Sequence, residues 1–405
     1  MNNNKLIEVS DLFDSLHQTP KYSDSGYPMV RVADVSAGNL QLETCLTVSL
    51  SDYHKYTAKH IPTYGDIVIS RVGTYGVFAY VNTKRKFCLG QNTAILSPRI
   101  NSKYLYYCLN SPGIKKQIDV AVVGSTQKTI SLKNIKSLII PRFGELIEAR
   151  IADYLSLLDD KIENNKRINE NLAEQIHILC NAWLNDYIPF GGKCPDDWAL
   201  TQLSSIAKFI SGYSYKGKEL QESSVAMATI KNFDRHGGFK LDGYKEILPS
   251  SKLKPEHHVA MFDTLVAHTD LTQNAEVIGN AEPVLSFSGY DDIIFSMDVV
   301  KVLPNNPEIS KFLIAAILQT QQFKGHCLGY VNGTTVLHLS KKALPEYSLM
   351  LPKDYSALKP LDEAVSSMYQ QMALNIDENV QLAKLRDSLL PRLMSGELDI
   401  SALDL

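Results

Sequence analysis

Two stretches of this chain carry the same apolar seam, and that repetition limits the possible folds more than any other feature. The first reads Leu155, Leu158, Ile162, Asn165, Asn169, Leu172, Ile176, Leu179; the second reads Val365, Met368, Met372, Asn375, Asn379, Leu382, Arg386, Leu389. Spacings of three and four alternate, and each position in the second lies 210 residues after its counterpart, as Leu155 and Val365 show. Such a stripe faces one partner helix along its length. A polar residue in a seam lowers stability but fixes register, so the paired asparagines specify how the two helices meet. The alternative is two amphipathic helices packed separately on their own domains, which would not need matching asparagine layers.

Weaker matches in the same order extend the duplication to the rest of the chain. Leu6-Ile7-Glu8-Val9-Ser10 resembles Leu200-Thr201-Gln202-Leu203-Ser204, an offset of 194, and Ser102-Lys103-Tyr104-Leu105 resembles Ser310-Lys311-Phe312-Leu313, an offset of 208. Gly124-Ser125-Thr126 with Ser131 and Ile135 resembles Gly333-Thr334-Thr335 with Ser340 and Leu344, an offset of 209. A drifting offset is what loop insertions in the second copy produce. The resulting division is a first domain over 1–145, a helix over 146–187, a second domain over 188–352, and a helix with tail over 353–405. The first helix is expected from about Leu146 to Leu184, before Pro189-Phe190-Gly191-Gly192; the second runs from about Leu358 to Leu390, where Pro391 and then Gly396 break it. Each domain reads as mixed α and β, with strands at 66–70 and 77–81, then 263–267 and 298–302, and short helices at 103–109 and 311–322.

A length of 405 residues suits two such domains. The net charge of −3 hides an uneven distribution. Residues 1–145 carry 17 Lys+Arg against 10 Asp+Glu, whereas 146–187, 188–350 and 351–405 are net −4, −2 and −4. A basic first domain beside acidic helical segments points to different partners for different parts. The six cysteines show no CxxC spacing and read as buried, reduced thiols of a cytoplasmic protein. The start, Met1-Asn2-Asn3-Asn4-Lys5, has no apolar stretch behind it, so no secretory signal is expected. The longest apolar run, Phe312 to Leu318, is far short of the ~20 residues that span a bilayer, so no membrane partner is expected.

Motifs of catalysis are missing. There is no phosphate-cradling GxxxxGK[ST], no Gly-rich dinucleotide or adenosyl-methionine fingerprint, no Asn-Pro-Pro-aromatic run, no HExxH and no GxSxG. Glu256-His257-His258 is the nearest approach to a metal cluster, but adjacent histidines point apart, and it reads as a solvated loop. Neither a cofactor, a metal nor a catalytic residue is expected.

Several segments suit nucleic acid. Arg71-Val72-Gly73-Thr74-Tyr75-Gly76 combines a forked cation, glycines, a hydroxyl and a ring after a strand. It is either a base-reading loop, since Arg grips guanine bidentately, or a plain hairpin turn. Lys84-Arg85-Lys86 is a basic tip, for phosphate or simply solvated. Ser125, Thr126, Gln127 and Lys128 offer hydroxyls, an amide and an ammonium, and their second-copy counterparts are Asn332, Thr334 and Thr335. Lys231, Asn232, Arg235 and His236, with His268 and Thr269, fall roughly where the first domain has Arg31-Val32 and Arg71.

With the duplication in view, the chain resembles the specificity subunit of Type I restriction-modification systems over nearly its full length. The most specific pieces are residues 124–141 leading into Ile151-Ala152-Asp153-Tyr154-Leu155 and Leu158-Asp159-Asp160-Lys161-Ile162-Glu163, and the closing Leu385-Arg386-Asp387-Ser388-Leu389-Leu390-Pro391-Arg392-Leu393-Met394-Ser395-Gly396-Glu397. Pro195-Asp196-Asp197-Trp198 also resembles the lead into that family's second recognition domain. The resemblance implies an α+β chain of two tandem mixed α/β target recognition domains, each followed by a long helix, the helices pairing as an antiparallel coiled coil. It implies a non-catalytic subunit that reads a bipartite interrupted site on double-stranded DNA. Its helices would dock two modification (methyltransferase) subunits, with restriction subunits joining through the assembled complex. An autonomous DNA methyltransferase or nuclease, and a coiled-coil scaffold without DNA contact, are the alternatives. Activity of the purified chain alone marks the first, and the basic first domain argues against the second. The second domain departs from the first in having no chemical match to residues 71–76.

Overall fold

The computed structural model describes residues 2–122 and 128–400. Its contacts divide into two units, Met1–Lys161 with Leu382–Leu405, and Ile162–Gln381.

In the first unit a five-stranded sheet runs in the order Ser10–Asp14, Thr93–Pro98, Ile67–Ser70, Phe78–Tyr80, Gly38–Asn39. The run Ile67-Val68-Ile69 is apolar throughout because the sheet is covered on both faces. Ile67 and Ile69 join a core with Tyr104, Leu105 and Ile114, whereas Val68 joins another with Val30, Phe87 and Ile95. The helix Ser102–Asn110 is capped by Asn101, whose side chain accepts from Tyr104 N, and Pro112–Ala121 by Ser111, which accepts from Ile114 N. Residues Ile151, Ala152 and Leu155 of the long helix Glu145–Leu184 share the first core with Leu390, Leu393 and Met394 of the long helix Lys359–Ser395.

The second unit repeats the plan. A four-stranded sheet runs in the order Ala207–Ser211, Val299–Pro304, Thr264–Ala267, Ala281–Pro283, and the helices Lys311–Leu318 and Gln321–Leu328 follow. The duplication is therefore visible in local bonds. Leu6 N donates to Leu138 O at 2.8 Å, and Leu203 N donates to Tyr347 O at 2.7 Å. Thr63 N donates to Asp66 and Ala260 N to Asp263, each at 2.9 Å, capping the turn into the central strand.

These bonds correct the alignment read from sequence. Leu6 matches Leu203, an offset of 197 rather than 194; Leu200, the expected match, is 71% exposed, whereas Leu6 and Leu203 are both buried. The cap Asn101 matches Ser310, an offset of 209 rather than 208, since their side chains accept from Tyr104 N and Leu313 N. The offset is still 197 at Ile67 and Thr264 and reaches 206 at Thr93 and Val299, so most of the insertion lies between these strands. Three further expectations change. The helix expected over 311–322 is two helices, broken where Thr320 caps the second. Pro391 does not end the last helix, which runs to Ser395; burial of Leu390, Leu393 and Met394 holds the turn despite the missing N–H, and Gly396, at φ +74°, closes it. Glu256-His257-His258 is not a solvated loop: His257 is buried and accepts from Lys254 N at 3.1 Å, while His258 pairs with Asp292 at 2.6 Å.

The two long helices pair antiparallel, as the fold class requires. In the second unit Asn165 Nδ2 donates to Asn379 Oδ1 at 2.9 Å and to Glu378 at 2.7 Å, Asn375 Nδ2 donates to Asn169 Oδ1 at 2.7 Å, and Asn169 Nδ2 donates to Met372 O at 3.1 Å. All of the expected seam positions are buried or half-buried.

Candidate nucleic-acid interface

In the first unit the strand Ile67–Ser70 turns at Arg71. Arg71 N donates to Asn92 O at 2.9 Å, Ile130 N to Arg71 O at 3.0 Å and Gly73 N to Lys128 O at 3.1 Å, with a bridge between Val72 and Thr129. Segments almost sixty residues apart thus form one edge. Gly73, Thr74, Tyr75 and Lys128 come together there, the Lys128 ammonium lying 5.9 Å from the Tyr75 ring centre. Gly76 closes the tip at φ +69°, where a side chain would meet Ile118 at 2.9 Å.

Arg71 itself is a correction. Its side chain is 11% exposed, and its guanidinium donates through Nη1 to Asp14 and reaches Ile130 O at 3.4 Å through Nε. It is a strut that ties the loop to the sheet's edge, not an outward base-reading fork. Sequence reasoning missed Asp14 because nothing local links residues 57 positions apart. Lys84, Arg85 and Lys86 are exposed, with Arg85 N bonded to Thr83 Oγ1 at 3.1 Å. They follow the strand Phe78–Tyr80 at the end opposite the Arg71 loop, so the two basic features are not brought together by that hairpin. Ser125, Thr126 and Gln127 lie outside the described residues.

The second unit builds the same edge with different side chains. His268 N donates to Asp298 O at 2.9 Å and Leu339 N donates to His268 O at 2.8 Å, so His268 stands where Arg71 stands and Leu339 where Ile130 stands. The Arg71–Asp14 pair is replaced as a whole, since Ser211 occupies the place of Asp14 by the offset of the strands Ser10–Asp14 and Ala207–Ser211. Thr269–Asp270, Leu337–Leu339 and Val331–Asn332 form a small sheet. Thr269 is buried against His338 at 3.3 Å, so it is framework rather than contact surface. Asn332, Thr334 and Thr335 are exposed, and Gln273 Nε2 donates to Thr334 O at 2.6 Å, tying the facing loop to them. Burial lowers the His268 pKa, and the nearby His338 and Lys341 add to this, so this imidazole is held toward its neutral form. His338 and Gln273 had no sequence signal, because pairing across 69 and 61 residues brings them in.

A second loop of this unit spans 229–240. Asn232 is fully buried, accepting from Thr229 N at 2.8 Å and donating to Lys240 O at 2.7 Å, which makes it a cap and corrects its assignment to DNA. Asp34 does the same job for Arg31 N at 2.8 Å, so Thr229 rather than Lys231 is the counterpart of Arg31. Lys231 and His236 are exposed, and Arg235, 60% exposed, pairs with Glu276 at 3.2 Å. Among the described residues no cluster of three or more His, Cys, Asp or Glu could hold a metal, and no helix is long and apolar enough to cross a membrane.

The family described as Type I restriction modification DNA specificity domain matches residues 1–174. The chain is 21% identical over 361 residues to the specificity subunit of the Type I restriction enzyme MjaIX of Methanocaldococcus jannaschii, covering 84% of this chain and 79% of that protein. It is 22% identical to the Type I restriction enzyme HindI specificity subunit of Haemophilus influenzae, over 62% and 67% of the two chains. Among solved structures it is similar to the S subunit of a Type I restriction-modification system from M. genitalium, with a TM-score of 0.56, 16% identity, and 97% and 95% of the two chains covered.

Proposed function

We propose that this chain, whose residues 1–174 match the Type I restriction modification DNA specificity domain, is a specificity subunit of a Type I restriction-modification system, and that each of its two units reads one half of an interrupted site on double-stranded DNA. One observation supports this above others. The same backbone bonds hold the loop edge in both units, at Arg71 and Ile130 and again at His268 and Leu339, while the side chains carried there differ. A frame kept constant with altered chemistry is what reading two unlike half-sites needs, because base edges are distinguished by donor and acceptor pattern. In the first unit Gly73, Thr74, Tyr75 and Lys128 present themselves for bases and backbone, with Lys84, Arg85 and Lys86 for phosphate. In the second, Lys231, Arg235, His236, His268, Asn332, Thr334 and Thr335 take that part.

The chain itself catalyses nothing in this reading and acts in the cytoplasm. The antiparallel helices dock modification subunits, two of them because the helical pair is built from a repeat, and restriction subunits join through the complex they form. Methylome sequencing of cells expressing the chain with its modification subunits tests the proposal. A bipartite site whose halves change independently when one unit is exchanged supports it; DNA modification by the purified chain alone overturns it.

A further inference from the structure

The loop 234–240 carries Arg235 and His236 outward and is held from beneath by a carboxyl group almost out of reach of water. Glu282, in the strand Ala281–Pro283, is 8% exposed. Its Oε1 accepts from Gly238 N at 2.7 Å, and its Oε2 accepts from Gln319 Nε2 at 2.8 Å. The same amide's Oε1 accepts from the hydroxyl of Tyr369 at 2.6 Å, and Tyr369 is buried in the long helix Lys359–Ser395. One chain of hydrogen bonds thus joins a helix of the coiled coil to the backbone of a candidate recognition loop.

We propose that Glu282 is a positioning residue for DNA reading, anchoring the loop 234–240 to Gln319 and Tyr369 so that loop placement follows both the protonation of this carboxyl and the state of the long helix. The proposal rests on the reading above in taking that loop to DNA. Replacing a charge-assisted anchor by a neutral one alters how firmly a loop is held. The relay also has two polarities. With Glu282 ionised, Gln319 donates to it and accepts from Tyr369. With Oε2 protonated, the Gln319 amide turns over to accept, and its NH₂ then donates to the Tyr369 oxygen. Protonation is therefore felt at the helix.

The groups facing this carboxyl are few. Asp234 of the loop is paired with Lys240 at 2.7 Å, and Asp234 O accepts from Asn280 Nδ2 at 2.9 Å. The Lys324 ammonium, from the helix Gln321–Leu328, is held by Asn280 Oδ1 at 2.6 Å and by the carbonyls of Glu276 and Ile278. Leu265 is the cross-strand neighbour, and burial keeps Tyr369 neutral. Burial pushes the Glu282 carboxyl up to about 7, against the lowering effect of Gly238 and Gln319, and Asp234 adds to the rise. When the loop lifts, water returns the group toward its ordinary value of 4.5. A raised pKa in the docked state means that docking is fully favoured below the ordinary value, weakens as pH rises from there, and levels off above about 7. The slope cannot exceed roughly tenfold per pH unit.

Hydrogen exchange of the loop 234–240 in the full chain, between about pH 5.5 and 8 and corrected for intrinsic exchange, reads this without DNA. Protection should fall with rising pH and level off above about 7. Glu282→Gln, which keeps the hydrogen bonds without the charge, should hold the acid-side protection throughout. Tyr369→Phe should lower protection although the residue does not touch the loop. Protection independent of pH, or a Glu282→Gln variant titrating like the parent, overturns the proposal. The ratio of target-duplex affinities of parent and Glu282→Gln should change with pH in the assembled complex, and should do so equally in a His236→Gln background, which removes the nearby imidazole. If exchange titrates while that ratio stays flat, the anchor stands but the coupling to DNA is overturned, placing the failure in the assignment of the loop.

Discussion

Arg386 donates through Nη1 to Asp159 Oδ1 at 2.6 Å, and the hydroxyl of Tyr107 donates to the other oxygen of the same carboxylate at 2.7 Å. One long helix thereby grips the other and a helix of the recognition domain, all within the first unit. By the 210-residue repeat, Arg386 corresponds to Ile176 and Asp159 to Tyr369, and these counterparts lie in the apolar core of the second unit. The pseudo-symmetric seam is therefore charged at one place and apolar at its mate. Arg386→Ala should lower the stability of the first unit by roughly 1–3 kcal/mol, since it leaves a partly buried carboxylate with one partner fewer. A urea titration followed by a probe in that unit measures it, and an unchanged midpoint would show the pair to be ornamental.

The same asymmetry bears on a fragment ending near Tyr187. Its single seam helix should recruit a second copy, placing Asn165 of one chain opposite Asn169 of the other, as Asn165 and Asn169 face Asn379 and Asn375 here. With modification subunits, that homodimer should methylate a palindromic interrupted site. Asp159 would then face Ile176 rather than an arginine, so Ile176→Arg should tighten the dimer through two symmetry-related ion pairs, by about a hundredfold if each is worth ~1.4 kcal/mol. Sedimentation of both fragments decides it. A strictly monomeric fragment would mean that the helices are not interchangeable.

The asparagine layers should trade stability for register. Replacing Asn169 and Asn375 together by leucine removes a polar pair whose partners are each other, Met372 O and the Gln371 amide that donates to Asn375. The double variant should melt at the same or a higher temperature, while Asn375→Leu alone should lose about 1–3 kcal/mol by stranding Asn169. Calorimetry of the three proteins distinguishes these outcomes.

Arg71 and Lys84 should separate structural from electrostatic roles. Arg71→Ala breaks the tie to Asp14 and should cost the first unit about 1.5–3 kcal/mol of stability. Lys84→Ala should leave stability unchanged, weaken binding to all sequences alike and reduce the salt slope of affinity by about 1. Binding measured over a salt series, beside urea unfolding, tests both. Equal salt slopes for Lys84→Ala and the parent would show that the basic tip faces away from DNA.

What the sequence determined by itself is what repeats at short range. Alternating spacings of three and four made the long helices legible, and the shared 210-residue offset of their asparagines marked the two as partners, while their antiparallel sense came only with the family resemblance. Continuous apolar runs such as Ile67-Val68-Ile69 marked the central strands, because a doubly covered sheet needs no alternation. Tertiary structure decided which polar residues were free to act. Arg71 and Asn232 look from their neighbours like contact residues, yet Asp14, Thr229 and Lys240 O claim them. Pairing across some sixty residues likewise brought Lys128 to Tyr75 and Gln273 to Thr334. Periodicity is a property of one segment and survives in the sequence. The partner of a buried charge or amide is chosen by whichever strand the fold lays beside it, and desolvation makes that choice binding.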